Sequence, residues 1–266
     1  MKTKTYGLQQ ETRQYLRGLY AYGRELRGGD IADIDEFING CKNIDVWNGS
    51  KFWLFRNMYN MGTGSTVVCL NGDSSYNGVL VNSPTWENKG IRSTATGSPP
   101  PHIQLGNTKK VRYSSRNLVY MYICEANSVD NAFLMTCNYD LSLGSSPGEG
   151  YFGTSGYMQW GRSQVYKSVS QSLSLNVPYF LSVGLQGSIA LSYKNGVSKM
   201  TASPVSVPLT DTNSIRCMAM QGGSLEERGL NGVMSFVMDS NRNFSDIQQR
   251  NLYLLYKTTI GKGLGF

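Results

Sequence analysis

Two hydrophobic rhythms divide the chain. Over residues 9–46 apolar positions recur every three or four residues. Tyr15, Leu19, Tyr22 and Leu26 share one helix face, and Ile31, Ile34, Ile38 and Cys41 share the face of a second helix. Gly28-Gly29 is expected to end the first helix, because glycine accepts the left-handed angles of a helix terminus. Asp30 then reads as the N-cap of the second. Asp33, Asp35 and Glu36 follow in its first turns, where carboxylates favour the positive end of the helix dipole. Two short helices joined by Gly-Gly make a hairpin too small to bury a core alone. It must dock on the following domain or on a partner.

Past residue 50 the rhythm shortens to period two or to brief apolar runs. Strands are predicted at 52–55, 66–70, 118–124, 132–137, 157–160, 179–185, 188–193, 214–220 and 232–238, rich in Val, Ile, Tyr and Phe. Lys194-Asn195-Gly196 carries the Asn-Gly pair that a tight type I′ hairpin prefers. Ser245 precedes Gln248 by the spacing of a capping box and opens a last helix with Ile247, Leu252, Leu255 and Tyr256. The Gly-rich tail 261–266 is expected to be loose unless it docks on a neighbour. The fold class is therefore mainly β: antiparallel strands in a β-sandwich or jelly roll, with a short N-terminal helical hairpin and a C-terminal helix. Residues 1–48 form the hairpin, an attachment or docking segment, and residues 49–266 the jelly-roll domain.

Composition narrows the class. Charged residues make up 16% of the chain, against roughly 25% in most soluble domains, so its polarity comes from Ser, Asn, Gly and Tyr. The longest apolar run, 118–124, is far short of the ~20 residues of a membrane helix, so no membrane insertion is expected. The N-terminus has no apolar stretch, which argues against a secretory signal peptide and for synthesis in a reducing cytoplasm. Five cysteines, an odd number without a C-x-x-C pair, read as small buried hydrophobes.

The C-terminal half then shows a familiar order. A strand ends in Tyr193-Lys194-Asn195-Gly196, and a Pro-containing loop leads to the strand 214–220. Gly232-Val-Met-Ser-Phe-Val-Met238 follows, and Asn243-Phe244-Ser245-Asp246-Ile247 opens a helix. This resembles the concanavalin A-like, laminin G-like jelly-roll superfamily over roughly residues 50–258. The helical preface, followed by Phe52-Trp-Leu-Phe55 and Cys69-Leu-Asn-Gly72, is similar to tailed-bacteriophage virion proteins, which place a small helical segment ahead of such a jelly roll.

Catalytic chemistry is sparse. The single histidine, His102, follows three prolines and reads as an exposed loop residue rather than a general base. One histidine also argues against zinc. A glycosidase needs two carboxylates facing a cleft. The close acidic pairs, Asp33 with Asp35, Asp35-Glu36 and Glu226-Glu227, fall on a helix and a Gly-rich loop. Asp239-x-Asn241-x-Asn243 begins like a calcium loop, but Phe244 and Arg250 occupy the positions of its glycine and its bidentate glutamate. No metal and no cofactor are expected.

Two segments invite a binding role. Residues 144–161 present Tyr151, Tyr157 and Trp160 among glycines, which suits sugar rings or a subunit contact. A strand pair with its aromatics in the core is the favoured alternative. Trp47 and Trp53 read as core, and Trp86 as either core or site. Lys109, Lys110, Arg112 and Arg116 cluster around Tyr113. With a net charge of +7 they could track phosphates, but the remaining charge is scattered. Electrostatic docking on an acidic neighbour is the better fit, and nucleic acid is disfavoured.

The expectation is a non-enzymatic structural component of a tailed-phage-like virion, as head decoration, tail or fibre protein. Its partners would be other capsid or tail subunits, with itself as a homo-oligomer, and it would reside in the virion after synthesis in the host cytoplasm. The alternative is a carbohydrate-binding module for host-surface glycans.

Overall fold

The apolar run at 232–238 becomes the central strand. In the computed structural model it spans Gly232–Ser240, and all nine residues are buried. Cover on both faces explains why that stretch reads as a continuous run rather than an alternation. The structure describes residues 7–60, 62–94, 100–106, 117–125, 132–133, 135–136, 151–152, 157–159, 171–172, 174–186, 189–202, 215–219 and 229–266.

The helices among them are α1 (Gln10–Tyr20), α2 (Gly28–Asn43), α3 (Asn57–Asn60) and α4 (Asp246–Thr258). The first strands are β1 (Ser50–Leu54), β2 (Thr66–Val67), β3 (Gly78–Val81), β4 (Thr85–Glu87), β5 (Gly90–Ser93) and β6 (His102–Gln104). Next come β7 (Asn117–Cys124), β8 (Ala132–Phe133), β9 (Met135–Thr136), β10 (Tyr151–Phe152), β11 (Tyr157–Gln159) and β12 (Gln171–Ser172). The last are β13 (Pro178–Gln186), β14 (Ile189–Lys194), β15 (Ser198–Ala202), β16 (Arg216–Cys217) and β17 (Gly232–Ser240).

A large antiparallel sheet runs β15-β14-β13-β7-β17-β5-β4, with β1 also on β17. One edge of β17 is shared: β5 pairs with Gly232–Met234 and β1 with Phe236–Ser240. The other edge pairs with β7, and the register shifts between Met234 and Phe236. A second sheet, β2-β3-β6-β16-β9, covers one face of the first, and a small sheet runs β12-β11-β10-β8. The architecture is the mainly-β antiparallel sandwich expected, with two helices before it and one after.

Alternation sorts the side chains into two cores. Trp53 and Phe55 enter the core between the sheets with Tyr122, Leu181, Val183 and Val237. Phe52 and Leu54 point the other way, towards the helices, with Val119, Met121, Phe180 and Phe236. The bulge at Ser235 sets the parity of β17. In a regular strand, residues two apart share a face. Here Met234 and Val237 both enter the inter-sheet core, while Phe236 and Met238 face the helices. The Ser235 carbonyl accepts the Phe55 N–H at 2.9 Å, so the bulge also ties β1 to β17 beyond its last paired residue.

Helices α1, α2 and α4 pack on the outer face of the large sheet. Phe37 of α2 meets Phe52 and Phe236 edge-on, at 6.0 and 5.8 Å between centroids. Tyr256 of α4 lies 5.0 Å from Phe180 and 5.1 Å from Phe236. Each such ring contributes about 1.5–3 kcal/mol by leaving water. The helical preface therefore docks on its own chain.

Three local expectations change. The first helix stops at Tyr20, short of Gly28-Gly29, and Gly23 at φ +69° turns the chain. Tyr22 is exposed, and the chain leaves the helix so that Arg24 can enter the interior, where it is 4% exposed. Gly28 and Gly29 instead begin α2, with Arg27 at its N-cap and Asp30 inside the first turn. His102 lies in β6 between β3 and β16, only 2% exposed, with Nδ1 2.8 Å from the Pro100 carbonyl. Pro100 and Pro101 lead directly into that strand.

The tail, finally, is packed. Leu264 is buried, and Phe266 lies edge-on to Tyr253 and Tyr256. Other details follow the sequence. Asn195 (φ +51°) and Gly196 (φ +69°) form the β14–β15 turn. Ser245 Oγ accepts the Gln248 N–H at 3.2 Å, and Gln248 Oε1 accepts the Ser245 N–H at 3.0 Å.

Candidate functional site

The β4–β5 hairpin turns through Asn88 and Lys89, and β5 opens on Gly90 at φ +151°. A Cβ at Gly90 would sit 2.2 Å from the Met234 carbonyl oxygen. Only glycine lets the hairpin lie this close to β17, where Ser235 Oγ donates to the Lys89 carbonyl. Arg56, 7% exposed, fixes the other side of the turn. Its Nε donates to the Asn88 carbonyl at 3.0 Å, and its Nη1 donates to the carbonyls of Ile260 and Lys262 at 2.8 and 2.9 Å. One buried guanidinium thus holds the hairpin against the C-terminal tail.

Between the hairpin, the end of β7, the turn before β13 and the tail lies a cleft of about 830 Å³. That is within the roughly 300–1,000 Å³ of small-molecule sites. Trp86 lines it from β4, and Asn57, Asn88 and Asn176 supply side-chain amides. Trp86 is half-buried. Its Nε1 donates to the Gly64 carbonyl at 3.1 Å, and the Arg24 guanidinium lies 5.9 Å from its ring. The indole is therefore fixed in place while part of it stays open to the cleft.

The cleft also holds a charge cluster. Arg92 Nη1 and Nη2 donate to the two oxygens of Glu125 at 2.5 and 3.0 Å, and Nε donates to Glu87 at 2.5 Å. Glu125 first, and Glu87 next, hold this guanidinium more firmly protonated than usual. Two carboxylates do face a cleft, although they come from different elements rather than from one strand. Glu87 and Glu125 share the one guanidinium of Arg92 between them.

The residues singled out in the sequence fall elsewhere. Tyr151 and Tyr157 lie on the adjacent strands β10 and β11, where Tyr151 pairs with Gln159. Trp160, Lys109, Lys110, Arg112 and Arg116 lie outside the described residues. Trp47 and Trp53 are core, the latter with Nε1 donating to the Tyr76 carbonyl at 2.7 Å. The calcium-like stretch does not converge: Asp239 is buried in β17, while Asn241 Oδ1 lies against Gly49. Among the described residues no three His, Cys, Asp or Glu side chains group as metal ligands. Nor, among them, is any helix long and apolar enough to cross a membrane.

Neither a family model nor a curated protein matches the chain. Solved structures do resemble it in shape. Trypanosoma rangeli sialidase in complex with sialic acid aligns with a TM-score of 0.58 at 12% identity, over 82% of this chain and 34% of that one. The botulinum neurotoxin serotype D binding domain aligns with a TM-score of 0.54 at 12% identity, over 78% of this chain and 52% of that one. The chain thus spans about a third of the sialidase and about half of the toxin domain. At these identities the likeness shows the fold, a β-sandwich of jelly-roll type, and carries nothing about activity.

Proposed function

We propose that this chain is a non-enzymatic carbohydrate-binding β-sandwich domain, displayed on a tailed-phage-like particle. The observation that carries the reading is the Trp86 cleft: a fixed, partly open indole in a lining that includes three asparagines. Aromatic faces take the apolar side of a sugar ring, and amides take its hydroxyls. The β-sandwich neighbours include a sialidase in complex with sialic acid and a toxin binding domain, which supports the reading at the level of fold. A glycan array on the purified protein tests it. Binding should appear and should weaken in Trp86→Ala and in Asn88→Ala, the second being an exposed position whose loss leaves the core intact. Tyr157→Ala and Trp160→Ala distinguish the second aromatic segment, which includes Tyr151. An array without hits refutes the proposal.

The virion setting is the second reading. It draws on the helical preface ahead of a jelly roll, with residues 1–48 as the attachment segment. Other capsid or tail subunits and further copies of this chain would be the partners. Lys109, Lys110, Arg112 and Arg116 would meet an acidic neighbour. Immunogold labelling of purified particles tests it, and unlabelled particles would refute it.

A further inference from the structure

The charges in the cleft narrow its ligand, on the premise that the cleft binds a glycan. Two cations line it, Lys89 and Arg92. A guanidinium recognises a carboxylate or sulfate through a two-bond fork. The Arg92 fork already grips Glu125 through both terminal nitrogens, and its Nε is turned to Glu87. Glu87, Arg92 and Glu125 together carry one net negative charge. Lys89 only brings the lining to neutrality.

An acidic sugar entering here would face two carboxylates, with the Arg92 fork occupied and only the exposed Lys89 ammonium to meet it. Like charges placed together oppose binding strongly. A neutral sugar meets the opposite situation. Its hydroxyls donate, and ionised carboxylates are acceptors only. The amides of Asn57, Asn88 and Asn176 both donate and accept. We propose that the cleft selects neutral, hydroxyl-rich sugars and rejects sugars bearing carboxylate or sulfate. The likeness in fold to an enzyme of acidic sugars therefore does not extend to the ligand.

Titration calorimetry with N-acetyllactosamine and its 3′-sialyl and 6-sulfo forms tests this. The neutral sugar should bind at least about tenfold more tightly than either acidic form. Its affinity should also stay constant between about 50 and 500 mM salt, because no charge on the ligand is there to be screened. Glu125→Gln, which loosens the fork, should raise affinity for the acidic forms by about tenfold. The salt series uses the unaltered protein and stands even if that variant misfolds. Preference for an acidic form, lost in Asn88→Ala, overturns the selectivity and leaves the glycan reading in place. Absence of binding to any of the three at millimolar concentration, with an empty glycan array, overturns both.

Discussion

Arg24 is a cation buried among backbone dipoles. Its Nη1 donates to the Asn60 carbonyl at 3.1 Å, to Asn60 Oδ1 at 2.9 Å and to the Thr66 carbonyl at 2.9 Å, and its Nη2 donates to the Thr63 carbonyl. Its plane also lies 5.5 Å from the Tyr22 ring. Replacement by Met keeps much of the apolar stem and removes every donor. Asn60 Oδ1 keeps the Val68 N–H at 3.3 Å, but the buried Asn60 carbonyl loses its Arg24 donor, and an unsatisfied buried acceptor costs about 1–3 kcal/mol. With the bonds to Thr63 and Thr66 also lost, Arg24→Met should destabilise the fold by about 3–5 kcal/mol. For a chain of this size that lowers the melting temperature by roughly 10 °C. Arg24→Lys, which keeps the charge without the fork, should fall between the two. Guanidinium titrations followed by tryptophan fluorescence measure all three proteins. A loss below about 1 kcal/mol in Arg24→Met would show that the 60–66 loop finds other donors and that Arg24 does not hold it.

Other perturbations probe separate joints. Ser245→Ala removes the Oγ that accepts the Gln248 N–H, while the backbone bond from residue 245 to Gln248 Oε1 stays available; it should cost about 1 kcal/mol in the same titration, and an unchanged midpoint would contradict the cap. Gly90→Ala drives a methyl into the Met234 backbone at a strained φ and should cost about 2–4 kcal/mol, against no change if the hairpin can lift. Burial raises the thiol of Cys69 to about 11 and also raises those of Cys41 and Cys217. Iodoacetamide at neutral pH should therefore leave all three unlabelled until the protein is unfolded, read by peptide mass spectrometry. Rapid labelling of the native protein would show that these sites open.

The sequence was most readable where local chemistry and long-range packing agree. The 232–238 run, the Asn195-Gly196 turn and the Ser245–Gln248 cap each carry their own signal within a few residues. The end of α1 did not, because Arg24 is drawn inward by acceptors at residues 60–66. The extra residue at Ser235 leaves no mark in composition, yet it decides which of Met234, Phe236 and Val237 faces which core. The cleft was hidden for the same reason. Glu125 reaches Arg92 across 33 residues of chain, and nothing in either neighbourhood announces the other. Trp86 was open to either reading, and the structure shows it serving both, packed on the core from one side and lining the cleft from the other.

The pairing of β1 with β17 sets an order of events during synthesis. Ser50 lies opposite Ser240, with Ser50 Oγ and Ser240 Oγ 2.9 Å apart although the two residues are 190 positions apart in the sequence. While the ribosome is still making the intervening strands, β1 has no partner on that edge. The apolar faces of α2 and β1, Phe37 and Phe52 among them, must wait for Phe236 and Tyr256 to emerge. Closing so long a loop makes folding slow, and it leaves aromatic surface exposed on the nascent chain. β1 therefore gains its β17 partner only once residues 236–240 have been made, and residues 50–54 stay without that cover until then.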